Sequence, residues 1–177
     1  KINSVKGYKK NMNYCIANWK MNKTINESIE FIEEFKKKDL QNLKSKIILC
    51  PSFTSLKILE KHVSGIEVEL GAQNVHQNIK GAFTGEISVE MLKEIECEWV
   101  ILGHSERRQY FLEEDVIIND KMNTVIENDL KPILCIGENE SQRNNNETFK
   151  ILKSQLTTAL SNINLSSKIL IAYEPVW

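Results

Sequence analysis

Three side chains with complementary chemistry, Lys20, His104 and Glu174, each follow a short apolar run in this 177-residue sequence. A carboxylate can accept a proton, an imidazole can donate a hydrogen bond to an oxygen that becomes negative, and an ammonium can stabilise the resulting charge. Removing a proton next to a carbonyl group needs these three functions and needs neither a metal nor a redox cofactor. The sequence therefore predicts this chemistry if the fold brings the three residues together.

Glu174 stands where the apolar run Lys168–Tyr173 must end. Pro175 follows at once, and a proline fixes its own φ and restricts the residue before it to extended geometry. The backbone of Glu174 is therefore constrained before any tertiary contact forms. Taken alone, a glutamate at this position is also typical of a solvated turn between a strand and a helix.

Asn18 and Lys20 lie at the end of the run Tyr14–Ala17. Because side chains alternate along a strand, these two residues share a face, and in a barrel one face points towards the lumen. An amide and an ammonium would then project together into the mouth of the barrel. An ordinary exposed lysine at a strand exit is the alternative.

His104 follows the run Trp99–Leu102. Ser105 is a favourable N-cap residue, which would place His104 against the positive end of the next helical turn and favour a neutral imidazole. The alternative for His104 is a loop histidine that is hydrogen-bonded to the backbone. Arg107 and Arg108 are interpreted as part of a solvated face.

Six apolar runs of strand character recur along the chain, with amphipathic segments between them. They are Tyr14–Ala17, Lys46–Cys50, Ile66–Gly71, Trp99–Leu102, Pro132–Ile136 and Lys168–Tyr173. Their separation is the length of one strand–helix unit, so the pattern predicts an α/β fold with a parallel sheet. The sheet is either open and doubly wound or curled into a barrel. No glycine-rich dinucleotide fingerprint follows the first run.

The segments between the runs predict helices. Thr24 and Glu27 form a capping-box pattern, and Asp115 is predicted to cap a helix that ends at Asn128. Apolar residues at helical spacing predict the buried faces. These faces are Ile25, Ile29, Ile32 and Phe35; Leu56, Leu59 and Val63; Ile118, Met122 and Val125; and Phe149, Leu152, Leu156 and Leu160.

Composition excludes several classes of function. The net charge is −1, so the chain lacks the basic field that nucleic acid or an anionic membrane surface would require. No apolar run approaches the roughly 18 residues of a membrane span. The three histidines are far apart and show no ligand spacing, so no zinc site is predicted.

The cysteines and the first residues bear on location. The four cysteines include no Cys-x-x-Cys pair, which predicts reduced, buried thiols and a cytoplasmic protein. Residues 1–13 carry four lysines and no acidic residue, which predicts a disordered arm ahead of one domain formed by residues 14–177. Such an arm leaves an organelle, for example a plastid, as the alternative location.

The stretches that hold the three candidate residues resemble the triosephosphate isomerase family in their order and approximate spacing. They are Asn18–Asn22, Gly103–Arg108 and Ala172–Trp177, and further resemblance lies in Cys50–Pro51, Gly71–Val75, Gly81–Glu86 and Cys135–Glu138. The resemblance covers nearly everything from Tyr14 onward. It implies a TIM (β/α)8 barrel, of which this chain contains about the first six βα units.

The resemblance implies roles for the residues at the strand ends. Glu174 would move a proton between two neighbouring carbons of dihydroxyacetone phosphate and glyceraldehyde 3-phosphate, a reaction of glycolysis and gluconeogenesis. His104 would be the neutral electrophile, which is the family's mechanism. Lys20 would hold the phosphate and the enediolate charge, and Asn18 would orient the substrate.

The resemblance implies supporting roles for four further residues. Glu106 corresponds to a carboxylate near the active-site lysine, Ser105 would brace the base, and Cys135 would pack behind it. The segment 73–86 resembles the family's loop that crosses into the neighbouring subunit of a homodimer, with Thr84 near its tip. No cofactor is implied.

By the same resemblance, this chain would be a C-terminally incomplete form that stops where the lid loop after the sixth strand begins. About 70 residues of a typical barrel would be lacking, including backbone amides that hold the phosphate. The alternatives are an inactive sugar-phosphate-binding or interaction fragment of the same barrel and a barrel isomerase that acts on another phosphorylated sugar.

Overall fold

A computed structural model describes residues 13–38, 43–164 and 166–176 of the chain. Strands and helices alternate in the order β1 (Asn13–Asn18), α1 (Ile25–Lys36), β2 (Ser45–Cys50), α2 (Phe53–Val63), β3 (Val68–Ala72), α3 (Val89–Glu94), β4 (Trp99–Leu102), α4 (Ser105–Tyr110), α5 (Asp115–Glu127), β5 (Lys131–Ile136), α6 (Glu140–Asn144), α7 (Thr148–Ala159) and β6 (Leu170–Tyr173). Apart from Asn13, which begins β1, the predicted basic arm lies outside the described residues, as does Trp177.

The six strands form one curled parallel sheet in the order of the chain, β1-β2-β3-β4-β5-β6. All five neighbouring pairs are parallel. A doubly wound sheet would reverse its strand order at a switch point, whereas a barrel adds each strand beside the previous one. The strand order therefore confirms the predicted barrel with six βα units. Within the described residues, β1 and β6 do not pair with each other.

Alternate residues of the strands divide between two apolar clusters. Ile47 and Leu49 of β2, for example, pack with the helices on the outer face, whereas Ile48 and Cys50 belong to the inner cluster. The inner cluster contains Ile48, Cys50, Trp99, Ile101, Ile133 and Cys135, with Tyr14, Ile16, Leu170 and Ala172 packed against it. By the same alternation, Asn18 and Glu174 continue the inward-facing rows of β1 and β6.

Most predicted helix features are confirmed. Thr24 and Glu27 form a capping box at the start of α1. The inner faces of α2 and α5 are buried as predicted, and Asn128 is the C-cap of α5. The prediction that Asp115 caps α5 is wrong. Glu114 is the N-cap residue, and the Asp115 carboxylate instead accepts a hydrogen bond from Arg108 at 2.6 Å.

Three predictions of burial are wrong. Ile25, in the first turn of α1, is exposed. Phe149 lies in the first turn of α7 and is 87% exposed, because the face of α7 that meets the core begins one turn later, at Leu152. Cys15 is exposed on the outward face of β1, whereas Cys50, Cys97 and Cys135 are buried. Burial raises the pKa of the Cys97 and Cys135 thiols to about 12.

The described part of the chain has no helix that is long and apolar enough to cross a membrane. Among the same residues, no group of three or more His, Cys, Asp and Glu side chains is arranged to hold a metal ion.

A buried ionic cluster joins α5 to the loops at the mouth of the sheet. The Lys121 ammonium donates to Glu113 at 2.5 Å and to Asn74 at 2.9 Å, and Arg107 donates to the same Glu113 oxygen at 2.6 Å. The side chains of Lys121 and Glu113 are almost completely buried. In such a site the loss of one partner leaves a charge that neither water nor protein compensates fully.

We expect Lys121→Met to lower the free energy of unfolding by about 3 kcal/mol, because Glu113 then keeps only Arg107 as a charged partner. Urea denaturation of the complete protein measures this loss. Lys57→Met is the matched control, since Lys57 forms an ion pair with Glu60 on the exposed surface, and it should leave the unfolding midpoint nearly unchanged. Equal effects of the two substitutions would contradict a structural role for the buried cluster.

Candidate active site

The candidate residues meet at the carboxyl ends of the strands, where barrel sites are found. A chain of close contacts joins them. The Lys20 ammonium lies 2.8 Å from Glu106 Oε1, Glu106 Oε2 lies 3.6 Å from His104 Nδ1, and His104 Nε2 lies 3.3 Å from Glu174 Oε2. Residues that are 154 positions apart in sequence, 20 and 174, are therefore linked through two side chains of the β4–α4 region.

His104 is itself the N-cap of α4, so the prediction that Ser105 caps this helix is wrong. The His104 Nδ1 atom accepts a hydrogen bond from the Glu106 backbone N–H at 3.2 Å and takes the place of the expected hydroxyl. A ring nitrogen that accepts a hydrogen bond carries no proton. In the neutral imidazole the proton is therefore on Nε2, the atom that faces Glu174.

His104 and Glu174 differ in exposure. The His104 side chain is 9% exposed and that of Glu174 is 54% exposed, so the imidazole is enclosed by protein whereas the carboxylate is open to solvent. An N–H donor and a carboxylate beside it can act on adjacent atoms of one bound molecule.

Lys20 has a left-handed backbone conformation with φ of 55°. This conformation is uncommon for a residue with a side chain and persists only where neighbouring groups enforce it. Two side chains do so: the Asn18 Oδ1 atom accepts from the Lys20 N–H at 3.0 Å, and Gln73 Nε2 donates to the carbonyls of Lys20 and Cys50, both at 2.9 Å. Gln73 was not among the predicted site residues.

Nearby carboxylates stabilise the positive charge of the Lys20 ammonium. Its hydrogen bond to Glu106 is the main cause that raises the pKa of Lys20, and the nearby Glu174 contributes in the same direction. The side chain therefore keeps its positive charge throughout the neutral range.

The backbone of Glu174 extends the pairing of β5 with β6. Its N–H donates to the Ile136 carbonyl at 2.9 Å, and two residues later the Val176 N–H donates to the Glu138 carbonyl at 2.9 Å. Cys135 and Ser105 lie beside Glu174 around a space too small for a water molecule. Cys135 is buried beside this space.

Arg108 connects the end of β4 to the end of β5. Its Nε donates to the Gly103 carbonyl at 2.7 Å and its Nη2 to the Cys135 carbonyl at 3.3 Å. The interpretation of Arg108 as part of a solvated face is therefore wrong. The guanidinium is half-buried and holds together the two strand ends that flank His104.

A cleft of about 500 Å³ opens beside Lys20 and His104. Its lining also includes Asn18, Glu106 and apolar groups, and its size falls in the range of ligand sites. Thr84 is not part of this lining. It lies exposed in the loop between β3 and α3.

The arrangement can support proton transfer at carbon. A carboxylate, an imidazole and an ammonium lie close together at the strand ends, and together they could accept a proton, bind a carbonyl oxygen and stabilise negative charge. These side chains come from the ends of three different strands, β1, β4 and β6.

Comparison with known proteins places the sequence among triosephosphate isomerases. Residues 13–177 match the family described as Triosephosphate isomerase. The chain is 48% identical to the triosephosphate isomerase of Aquifex aeolicus over 162 residues, which cover 91% of this chain and 66% of that protein. Identity is 45% over 163 residues with the enzyme of Alkaliphilus metalliredigens (91% and 65% covered) and 47% over 169 residues with that of Mycoplasma mobile (92% and 69% covered).

We expect the neutral form of His104 to carry its proton on Nε2, because Nδ1 accepts from the Glu106 backbone. Nuclear magnetic resonance of isotope-labelled histidine distinguishes the two tautomers by their nitrogen chemical shifts. His62 is an internal control, since its Nδ1 lies 3.0 Å from Glu33 and should carry the proton instead. A proton found on Nδ1 of His104 would contradict the assigned geometry.

Proposed function

The chain belongs to the triosephosphate isomerase family, and we propose that the complete protein interconverts dihydroxyacetone phosphate and glyceraldehyde 3-phosphate. The chain spans about two thirds of the length of the curated relatives that it matches. The proposal therefore concerns the whole protein, of which this chain supplies the catalytic side chains. No cofactor takes part in the proposed reaction.

The placement of His104 Nε2 3.3 Å from the Glu174 carboxylate carries this proposal. Glu174 removes a proton from the hydroxymethyl carbon of dihydroxyacetone phosphate while the His104 N–H donates to the carbonyl oxygen. The enediolate that forms carries its negative charge next to the Lys20 ammonium. Return of the proton to the neighbouring carbon, with transfer of a proton between the two oxygens, yields the aldehyde.

Other residues at the mouth hold these groups in place. Asn18 fixes the Lys20 backbone and lines the cleft, where its amide would orient the substrate. Glu106 pairs with Lys20 and supplies the backbone N–H that fixes the His104 ring. Ser105 and Cys135 pack around the base. The proposed roles thus divide into groups that react and groups that position them.

We further propose that the protein acts as a homodimer in which the loop around Thr84 enters the cleft of a second copy. The cleft beside Lys20 and His104 is bordered by apolar side chains that are largely exposed, among them Met21 (98% exposed), Tyr110 (70%) and Phe111 (65%). Exposed apolar patches of this kind are typical of interaction surfaces. The loop is exposed and contains Phe83, whose ring packs against that of His76 at a tilt of 33° with ring centroids 4.0 Å apart.

A cytoplasmic location remains our proposal and depends on the reduced cysteines. The comparisons give no support to an organelle.

Glu174→Asp should lower kcat by about 10²-fold or more, because withdrawing the carboxylate by roughly 1 Å spoils its alignment with the reacting carbon. A coupled isomerisation assay on the complete protein measures this effect, with the exposed Glu140→Asp as the control. An unchanged kcat would remove Glu174 from the role of base. Substrate binding without turnover by the unaltered protein would instead favour an inactive binding module, and turnover of longer sugar phosphates alone would favour another isomerase.

Met21→Glu should weaken dimer formation by at least about tenfold, because it places a charge in an apolar contact that dimerisation would bury. Analytical ultracentrifugation over a range of concentrations measures the dissociation constant. The control Phe149→Glu alters another highly exposed apolar residue, on α7, and should leave the dissociation constant unchanged. If the unaltered protein is monomeric at all concentrations, the dimer proposal is overturned.

A further inference from the structure

The side-chain amide of Gln155 binds both backbone groups of Gly137, the first residue after β5. Gln155 Oε1 accepts from the Gly137 N–H at 3.0 Å, and Gln155 Nε2 donates to the Gly137 carbonyl at 3.0 Å. Gln155 belongs to α7, the second of the two helices between β5 and β6. A helix on the outside of the sheet thus holds the chain where it leaves β5.

This contact occupies the side of the chain that β6 leaves unpaired. The carbonyls of Ile136 and Glu138 accept from Glu174 and Val176 of the β6 segment. Backbone groups of successive residues in an extended chain point to opposite sides, so those of Gly137 point away from β6. The Gln155 amide therefore does for Gly137 what a neighbouring strand would do, and it satisfies one donor and one acceptor together.

Gly137 in turn contacts the backbone of Glu174. A Cβ atom built on Gly137 would lie 1.9 Å from the Glu174 carbonyl oxygen and 2.8 Å from its carbonyl carbon. Such distances are impossible for a real side chain, so the two backbones are as close as glycine alone permits. A movement of Gly137 towards β6 would displace the peptide group that carries the Glu174 side chain, and a movement away would remove the surface on which that group rests.

We propose that Gln155 is a positioning residue for Glu174 and that it acts through Gly137. The Gln155 side chain touches no group of the proposed reaction directly, and its two hydrogen bonds fix the surface against which the Glu174–Pro175 peptide rests. The inference rests on the proposed function for its kinetic consequence. Its structural consequence, the rigidity of the Glu174 backbone, is independent of any activity.

The test uses Gln155→Met in the complete protein, because methionine has a similar length and shape and forms neither hydrogen bond. The matched control is Asn119→Leu. Asn119 is a side-chain amide on α5 that donates to two backbone carbonyls of the α7 end, Ala159 at 3.0 Å and Ser161 at 2.9 Å, away from the strand ends. Both variants lose two hydrogen bonds to backbone, and Asn119→Leu also loses the bond that Asn123 donates to Asn119 Oδ1 at 3.3 Å, so the control should lose at least as much stability.

Only Gln155→Met should alter the proposed catalysis. We expect its kcat to fall by about 10- to 100-fold while KM changes by less than about threefold, because a misplaced base affects the transition state more than substrate binding. Asn119→Leu should keep both constants. Equal kinetics of the two variants would overturn the proposal.

Amide hydrogen exchange provides a readout that does not need activity. The Glu174 and Val176 amides, which donate to Ile136 and Glu138, should exchange at least about tenfold faster in Gln155→Met than in Asn119→Leu. If the unaltered protein lacks isomerase activity, the proposed function fails and this exchange result alone decides the positioning role. Unchanged exchange at both amides would overturn it.

Discussion

The candidate site depends on how closely the chain after β5 approaches the chain after β6. Parallel pairing continues past both strands through Ile136 and Glu138, and the absence of a side chain at Gly137 lets the Glu174 peptide lie directly against it. This approach sets the position of the Glu174 carboxylate relative to His104, which arrives from β4 on the other side of β5. The ends of β4 and β5 are joined by Arg108. The ends of β4, β5 and β6 thus together determine the distance between His104 and Glu174.

Electrostatics at the mouth follow from the order of the contacts. The Glu106 carboxylate lies 3.6 Å from His104 Nδ1, too far to be its hydrogen-bond partner. The backbone N–H of Glu106 occupies Nδ1 instead, while the Glu106 carboxylate pairs with Lys20. The Nε2 atom of the ring faces the Glu174 carboxylate. The ammonium of Lys20 remains near enough to stabilise a negative intermediate.

Much of the fold could be predicted from local sequence, because strands and helices are specified by periodicity and caps. The six strands, the Thr24 capping box and the buried faces of α2 and α5 are examples. Errors arose where another contact replaced a predicted cap. His104 caps α4 in place of Ser105, and the Asp115 carboxylate binds Arg108 and does not cap α5. Gln73 and Gln155 could not be found, since a glutamine that binds backbone across the fold leaves no local pattern. The strand-end residues could be proposed because their types and their spacing both resemble those of a known family.

Hydrogen exchange at the carbon of the substrate tests most directly whether Glu174 removes a proton there. Dihydroxyacetone phosphate is mixed with the complete protein or its Glu174→Gln variant in deuterium oxide, and nuclear magnetic resonance follows deuterium entering the carbon positions. We predict that the unaltered protein incorporates deuterium during isomerisation and that incorporation and isomerisation fall together in the variant. Incorporation at an undiminished rate in Glu174→Gln would contradict the account.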